Sequence, residues 1–481
     1  MSMVWPDAIY RKTAIEEYGG NKLIECLPPI MSVEEFIAAT TSYPNFSPEE
    51  RALPSHYRLH LIKRLETLLI PTSEMVAAHN TLDVELRQSY VARDPRKAAS
   101  RMAMYGLPTI GKVSHDAVPS CLLVTGLSGS GKSTVLKAIL GVYPQVVVHH
   151  DITPGIERQH QVVWLKVDCP HDAGLRGLCL AIWEAIDRLL GTNYLREWSS
   201  TRPSIEELLK GVSQLINNLN LGVLVLDELQ HLGAAKAGGQ EKMLNFFVTL
   251  INNVGIPLIF AGTYTLEKIV SDQLRNARRA TGTGTVIIPR LARNDPMWSA
   301  FVRKLWKYQW VMNPMPLTSE IEDVLYHCTQ GIRDCIVKLF GSAQKLALEK
   351  GSETVSAETL REAFDTSFKP MHEALGLLRG GRDDHDPIFD DLLKNDQRGV
   401  PQTRWTPQEV SERGSKPNRR RTRSIDPAKC DRPSELPPLS THTYVGDVDL
   451  RDARKDGYDY LIANGMIETI GSKQSVLYPA G

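Results

Sequence analysis

The sequence carries no excess charge of either sign, because 56 Lys and Arg residues balance 56 Asp and Glu residues among 481. Any contact with nucleic acid must therefore come from local basic patches rather than from bulk charge. Long apolar runs are also missing, since the longest, such as 221–226, are far shorter than a helix that spans a bilayer. We therefore expect no membrane partner.

Paired cysteines are absent as well. Seven cysteines are scattered singly with no CxxC pair, which argues against a disulfide framework and against a zinc module. His149, His150 and Asp151 have no fourth ligand in pattern, so we expect them to be structural. The first residues, MSMVWPDAIYRK, lack the basic-then-apolar order of a secretory signal. These features predict a cytoplasmic protein, and its 42% hydrophobic content is typical of a globular one.

What the sequence does contain is an alternation of short apolar runs with helical patterns. Predicted strands lie at 121–125, 162–168, 223–227, 257–261 and 285–288, and predicted amphipathic helices lie at 175–190 and 205–219. This order is typical of a parallel sheet flanked by helices, so the predicted fold class is α/β. Ser204 with Glu207 predicts a capping box for the second helix, as do Ser32 with Glu35 and Ser47 with Glu50 nearer the amino terminus.

Composition divides the chain into five segments. They are an amino-terminal helical extension (1–117), the α/β domain (118–292), a helical lid (293–372), an acidic and then basic, Pro-rich linker (373–440) and a tail with a possible docking helix (441–481). Ser356 predicts a cap for the last helix of the lid. The composition of the Pro-rich, basic part of the linker, from about 401 to 440, predicts disorder.

A phosphate-binding loop follows the first predicted strand. The pattern GxxxxGK[ST] is matched in full between that strand and a predicted helix. Glycines let the backbone wrap a β-phosphate, and the helix start points free N–H groups at the anion. Lys132 is predicted to reach the β- and γ-phosphates of ATP, and Ser133 to bind Mg²⁺. The predicted nucleotide-binding residues are Gly126, Leu127, Ser128, Gly129, Ser130, Gly131, Lys132, Ser133 and Thr134.

Two carboxylates end the apolar strand at 223–227. In such sheets, the carboxyl ends of strands face the ligand crevice. Asp227 is therefore predicted to hold Mg²⁺ through water, and Glu228 to orient and activate the attacking water. Alone, an apolar run that ends in Asp-Glu indicates only a strand end. About 95 residues after a complete phosphate loop, it favours hydrolysis over phosphate transfer to a small molecule.

Further candidates depend on context. Thr263 follows another apolar strand and could hydrogen-bond the water or the γ-phosphate, although Gly-Thr alone indicates a turn. Arg275, Arg278 or Arg279 could stabilise γ-phosphate charge from a neighbouring subunit, or could be basic residues at a solvated helix end. Arg333, at a helix start in the lid, is a second candidate γ-phosphate sensor, with a surface residue as the alternative.

These motifs resemble an AAA+ ATPase over residues 118–370. Within AAA+, the sequence is similar to the TnsC/TniB family of transposition regulators. Residues 17–30, EYGGNKLIECLPPI, resemble that family's opening YxGNPLIEALPPI, with Lys22 in place of Pro. The DELQHL run from Asp227 and the Gly262-Thr263 pair are similar too. The chain is longer than the minimal TniB form and nearer in size to long TnsC proteins, some of them CRISPR-associated.

The resemblance implies a mechanism. ATP-bound subunits would form rings or filaments on double-stranded target DNA, in a bacterial cytoplasm. The amino-terminal helices would contact a target selector of the TniQ/TnsD type, and the tail would reach a TnsB-like transposase. Hydrolysis would then disassemble the oligomer. Residues implied to face DNA, or else to form an ordinary charged helix surface, are Arg176, Arg196, Arg202 and Lys210.

Two alternatives remain open at this stage. One is an AAA+ nucleotide switch of initiator or signalling type with no role in transposition. The other is a slow-turnover nucleotide-binding scaffold, which the intact Lys132, Asp227 and Glu228 disfavour but do not exclude.

Overall fold

A computed structural model describes most of the chain up to residue 389. The described residues are 5–104, 121–153, 156–170, 174–196, 203–229, 239–267, 284–382, 384–386 and 389. The strands are β1 (Cys121–Thr125), β2 (Val146–Thr153), β3 (Ile156–Val162), β4 (Trp164–Asp168), β5 (Val223–Asp227), β6 (Leu258–Gly262) and β7 (Thr285–Ile287).

Helices cover the sheet and continue beyond it. In chain order they are α1 (Lys22–Glu25), α2 (Val33–Thr40), α3 (Ser55–Leu61), α4 (Ser73–Ala92), α5 (Ala98–Met104), α6 (Lys132–Gly141), α7 (Leu175–Leu190), α8 (Ile205–Asn218), α9 (Gly239–Thr249), α10 (Pro296–Trp306), α11 (Ser319–Thr329), α12 (Arg333–Lys350), α13 (Ala357–Ser367) and α14 (His372–Arg379). Short 3₁₀ segments lie at Glu16–Tyr18, Pro48–Ala52, Ile62–Thr67 and Lys369–Met371, and a π turn lies at Leu250–Val254. No described helix combines the length and apolar character needed to cross a bilayer.

The central sheet has the strand order β4-β5-β6-β1-β7, and all of its pairs are parallel. Every residue of β1, β5 and β6 is buried. This is expected for parallel strands covered by helices on both faces. The predicted α/β class is confirmed. Because β6 lies between β1 and β5, the end of β6 adjoins the ends of both strands that carry the phosphate-site residues.

The structure corrects the predicted strand at 162–168. The chain forms two strands there: β3 ends at Val162 and β4 begins at Trp164. β3 pairs antiparallel with β2 in a hairpin that the sequence did not reveal, because polar residues interrupt its apolar pattern. One of them, His149, is fully buried and lies 2.6 Å from Gln161, with the Tyr10 hydroxyl 3.0 Å from its other ring nitrogen.

The predicted capping boxes of α2, of the 3₁₀ segment Pro48–Ala52 and of α8 are all present, and Ser356 caps α13. Each box satisfies backbone N–H groups that a helix start otherwise leaves without partners. The predicted helix at 175–190 is confirmed as α7, and the one at 205–219 ends one residue earlier.

The amino-terminal extension divides between two cores. α4 packs on the sheet, where Leu82, Leu86 and Tyr90 join a core cluster with strand residues. The segment directly before α4 packs on the lid instead. Its residues Ile62 and Leu65 lie in the hydrophobic cluster formed mainly by α10–α14. The extension therefore spans both halves of the molecule.

A buried ion pair fastens the extension to the lid. Arg58 is 2% exposed, and its two terminal nitrogens each lie 2.7 Å from an oxygen of Glu353. It also donates to the carbonyl oxygens of Leu53 and Trp310. A planar guanidinium matches a carboxylate in this bidentate way, which fixes geometry as well as charge.

The beginning of the predicted acidic linker is docked on the lid. Asp384 pairs with Arg290 at 2.9 Å, and Phe389 is 1% exposed within the lid core. α14 carries the helical region past residue 372, with Leu375 and Leu378 buried in the same core.

Candidate nucleotide-binding site

The phosphate loop connects β1 to α6. Gly129 and Gly131 have φ values of 76° and 106°, which favour glycine. Gly126 is required for space, because a Cβ there would lie 2.4 Å from the Ile288 carbonyl oxygen. α6 begins at Lys132, so its first N–H groups open on the loop. These three glycines therefore lie where the backbone conformation or the available space requires glycine.

The Lys132 side chain folds over its own loop. Its ammonium donates to the carbonyl oxygens of Gly126 at 2.9 Å and Leu127 at 2.8 Å. A phosphate that entered the loop would offer this ammonium stronger, charged acceptors. The side chain is therefore positioned to contact an anion held by the loop.

Ser133 and Asp227 meet across the end of the sheet. The Ser133 hydroxyl donates to Oδ2 of Asp227 at 2.9 Å, although 94 residues separate them. Asp227 is 2% exposed, and its other oxygen accepts from the backbone N–H of Glu228. Hydroxyl and carboxylate oxygens are the ligands that Mg²⁺ prefers, so the pair fits a magnesium ion bound together with nucleotide phosphates.

Lys166, on the neighbouring strand β4, contacts the same aspartate. Its ammonium lies 2.9 Å from Oδ2 of Asp227 and 2.7 Å from Oδ1 of Asp168. Burial alone would lower the pKa of Lys166, but the hydrogen bond to Asp168 and the charge of Asp227 outweigh it, so the pKa is raised. Sequence reasoning missed this residue, since a lysine near the end of an edge strand has no distinctive pattern.

Glu228 has an unusual backbone for a carboxylate. Its φ is 57°, in the left-handed region that costs a non-glycine residue roughly 1–2 kcal/mol. The side chain is exposed and lines the same cavity as the phosphate loop. The turn thus buries Asp227 and sends Glu228 toward the cavity, and the roles predicted for the two carboxylates stay predictions.

Thr263 follows β6 and is 3% exposed. Its hydroxyl is buried and has no hydrogen-bond partner among the described residues, as is true of Thr125 and Ser130. Buried hydroxyls without partners are uncommon and carry a free-energy cost. Thr263 lies between β5 and β1 as the sequence predicted, but it does not line the cavity as described.

Arg333 begins the lid helix α12 and reaches the phosphate loop. Its guanidinium donates to the carbonyl oxygens of Ser130 at 3.1 Å and Pro289 at 2.8 Å. The next backbone N–H, of Asp334, donates to the Gly129 carbonyl at 3.2 Å. Burial lowers the pKa of Arg333 from its ordinary value. Arg333 is therefore half-buried between the lid and the phosphate loop, and its role as a γ-phosphate sensor stays a prediction.

The lid is pressed against the sheet half just before Arg333. Gly331 has a φ of 76°, and its carbonyl oxygen accepts from the N–H of Leu291 at 2.9 Å. A Cβ at Gly331 would lie 1.9 Å from the Leu291 carbonyl oxygen, closer than any real contact. Only glycine fits at this junction.

A cavity of about 620 Å³ is lined by the phosphate loop, Glu228 and Arg333, whereas Asp227 and Lys166 do not line it as described. The size is within the range of small-molecule sites. One wall comes from the phosphate loop and Glu228, and Arg333 adds the lid. The remaining wall was not predicted from the sequence, where the amino-terminal extension shows no catalytic grouping. Its side chains are Lys63, Glu66, Leu68, Leu69, Ile70, Thr72 and Met75.

Other predicted site residues lie elsewhere. Arg275, Arg278, Arg279 and Arg202 fall outside the described residues. Arg176 is exposed at the start of α7 and donates to the Pro203 carbonyl at 2.8 Å, while Arg196 and Lys210 are exposed. None of these three lines the cavity, and their DNA-facing role stays a prediction.

Comparison with known proteins finds a family model that matches part of the chain and distantly similar solved structures. Residues 116–270 match a family model described as an AAA domain. No curated protein matches the sequence. Among solved structures, a Walker-type ATPase of Pyrococcus abyssi is 14% identical with a TM-score of 0.36, covering 54% of this chain and 69% of that one.

Two further structures are similar at the same level. Cdc6p of Pyrobaculum aerophilum is 14% identical with a TM-score of 0.36, covering 58% of this chain and 73% of that one. The origin recognition complex (ORC) of Drosophila, bound to DNA, is 11% identical with a TM-score of 0.33, covering 65% and 77%. With the family match, the strand order and the complete phosphate loop together, the protein has the fold of an AAA+ P-loop NTPase.

Proposed function

We propose that this protein binds ATP with Mg²⁺ and hydrolyses it. The observation that carries the proposal is the meeting of Ser133 and Asp227 at 2.9 Å beside the phosphate loop, with Ser133 and Glu228 both on the wall of one cavity. A small-molecule kinase would need an acceptor site rather than a carboxylate aimed at water. Glu228 at this position favours hydrolysis.

Each residue has a role in that reaction. The loop amides and the start of α6 hold the β-phosphate, and Lys132 moves from its own loop carbonyls to the β- and γ-phosphates. Ser133 and Asp227 hold Mg²⁺, which neutralises charge on the phosphate oxygens. Glu228 takes a proton from the attacking water, and Thr263 hydrogen-bonds the water or the γ-phosphate.

Arginines complete the site from two directions. Arg333 is attached to the phosphate loop by its bond to the Ser130 carbonyl, so it registers the γ-phosphate from the lid side. Arg275, Arg278 or Arg279 supplies a guanidinium to the site of a neighbouring subunit. Such a group accelerates hydrolysis by about 10³–10⁵ in proteins that use one. The active form is therefore a homo-oligomer, a ring or a filament.

We propose that the oligomer serves DNA transposition as a regulator of the TnsC/TniB type. Support comes from the opening segment 17–30, whose Tyr18, Leu23 and Ile24 pack in the core beside α4. The amino-terminal extension would contact a TniQ/TnsD-like selector and the tail a TnsB-like transposase. Arg176, Arg196, Arg202 and Lys210 would contact phosphates of double-stranded DNA.

The test is the substitution Glu228→Gln. It keeps the shape of the side chain and removes the base, so we expect ATP affinity within about twofold of the original and hydrolysis slower by at least about 100-fold. Electron microscopy with ATP and duplex DNA should show rings or filaments that persist in this variant and disassemble in the original protein. Glu349→Gln, an exposed change on the lid helix α12, is the matched control.

Two results would contradict the proposal. Normal hydrolysis by the Glu228→Gln protein would remove the role of Glu228 as the base. Assembly that ignores both ATP and DNA would leave the ATPase site without a function in transposition.

A further inference from the structure

Lys166 occupies a distinctive place beside the proposed metal site. It lies on β4, the edge strand of the sheet as described, which pairs with β5 so that Asp168 stands opposite Asp227. Residues 166 and 168 face the same side of their strand. The Lys166 ammonium therefore bridges two carboxylates. The carboxylate of Asp227 is buried, whereas the side chain of Asp168 is 71% exposed.

The Lys166 ammonium contacts the same carboxylate oxygen of Asp227 as the Ser133 hydroxyl does. Oδ2 of Asp227 accepts from the Ser133 hydroxyl at 2.9 Å and from the Lys166 ammonium at 2.9 Å. A divalent cation held near Ser133 and Asp227 would repel an ammonium at this distance, because like charges only a few ångströms apart interact strongly in a partly buried site. The ammonium and the cation therefore compete for one carboxylate.

Asp168 offers the ammonium a second position. It already accepts from Lys166 at 2.7 Å and is open to solvent. A rotation of the long, flexible lysine side chain would release Asp227 without leaving the ammonium unpaired. Until a metal ion binds, Lys166 supplies the positive charge beside the buried carboxylate of Asp227. Without a cation there, burial of that negative charge would cost free energy.

We propose that Lys166 is a displaceable internal cation that neutralises Asp227 until Mg²⁺ arrives with ATP and then gives up Asp227 while it stays bonded to Asp168. It is a positioning residue, and it sets the Mg²⁺ concentration at which the site fills. This inference rests on the proposed Mg²⁺·ATP site and names a control on it. The exchange forms and breaks only ionic hydrogen bonds.

The two partners of the bridge give opposite effects when changed. Lys166→Met removes the competitor, so the Mg²⁺ concentration for half-maximal Mg²⁺-dependent ATP binding falls, by roughly fivefold. Asp168→Asn removes the second position and holds Lys166 on Asp227, so that concentration rises by roughly threefold. Lys166→Arg keeps a cation and should stay closer to the original protein than Lys166→Met.

The experiment titrates Mg²⁺ into the full chain with a fluorescent ATP analogue and follows binding rather than turnover. A parallel titration in EDTA measures the affinity for the ATP analogue without the metal. This affinity should differ by less than twofold between each variant and the original protein. Lys137→Met, an exposed lysine on α6, controls for the lost charge. Thermal unfolding of each variant establishes that it is folded.

The outcomes separate this inference from the proposed function. Equal losses of affinity with Mg²⁺ and with EDTA, or shifts of the same sign in both variants, would overturn the displaceable cation and leave the ATP site standing. Absence of Mg²⁺-dependent ATP binding in the original protein would overturn the proposed function itself.

Discussion

The two walls of the nucleotide cavity are built in different ways. The sheet wall comes from the phosphate loop, the start of α6 and the end of β5, where Ser133 and Glu228 line the cavity and Asp227 is buried against Ser133. The helical wall joins residues 68–75 to the start of α12, more than 250 residues later. The sheet wall follows from short motifs, whereas the helical wall depends on long-range packing. The chemical groups of this site therefore belong to short sequence motifs, whereas its enclosure does not.

The largest expected effect on nucleotide affinity comes from a substitution in the sheet wall. Lys132→Ala should weaken ATP binding by at least about 100-fold, near 2.7 kcal/mol, because it removes charge-assisted bonds to the phosphates. Fluorescence titration measures the affinity, and circular dichroism checks the fold. Lys137→Ala on the same helix should bind as the original protein does. Retained affinity in Lys132→Ala would place the triphosphate elsewhere.

A substitution in the ion pair that joins the amino-terminal extension to the lid should act first on the free energy of unfolding. Arg58→Ala leaves Glu353 without its partner, and breaking a buried pair in this way costs about 3 kcal/mol of unfolding free energy. Urea denaturation followed by tryptophan fluorescence measures the loss. Arg188→Ala disrupts an exposed pair with Glu184 and should change nothing measurable. Equal effects in the two variants would show that the lid does not depend on Arg58.

The contact between the walls can be tested at Arg333. Arg333→Ala removes the donor to the Ser130 and Pro289 carbonyls, so the lid loses one link to the phosphate loop. We expect ATP affinity to fall about tenfold, near 1.4 kcal/mol, with ADP affinity falling less. Isothermal titration with both nucleotides measures the difference. An equal loss for ATP and ADP would argue against a γ-phosphate sensor.

The smallest expected effect concerns pH. Hydrogen bonds from Arg58 lower the pKa of Glu353 below its ordinary value of 4.5. A lowered folded-state pKa adds stability that is fully present above 4.5 and is lost as the pH falls through the lowered value. The stability difference between the original protein and Glu353→Gln should thus be constant from pH 7 to 5 and shrink below 4.5. Urea midpoints across this range test the sign.

The sequence predicted the sheet side of the protein well, for a physical reason. Buried parallel strands are continuous apolar runs, so β1 and β5 have the predicted bounds. Their carboxyl ends share one edge, which brought Asp227 to Ser133 across 94 residues. The capping boxes were equally accessible, because they depend on residues three apart.

The remaining features depend on contacts that sequence patterns do not encode. Arg58 and Glu353 are 295 residues apart and belong to no motif. The contact of Lys166 with Asp227 depends on the pairing of β4 with β5, which no sequence motif indicates. The predicted strand at 162–168 was wrong because the apolar run continues through the break at Val163. Burial alone cannot mark the end of one strand and the start of the next.

The Gly331 junction has a consequence for how the two halves of the molecule meet. A side chain at position 331 would have to push the lid away from the Leu291 carbonyl, so the close approach of the two halves depends on this one missing Cβ. The lid and the sheet half are thus joined backbone to backbone at this point, close to the residue that reaches the phosphate loop.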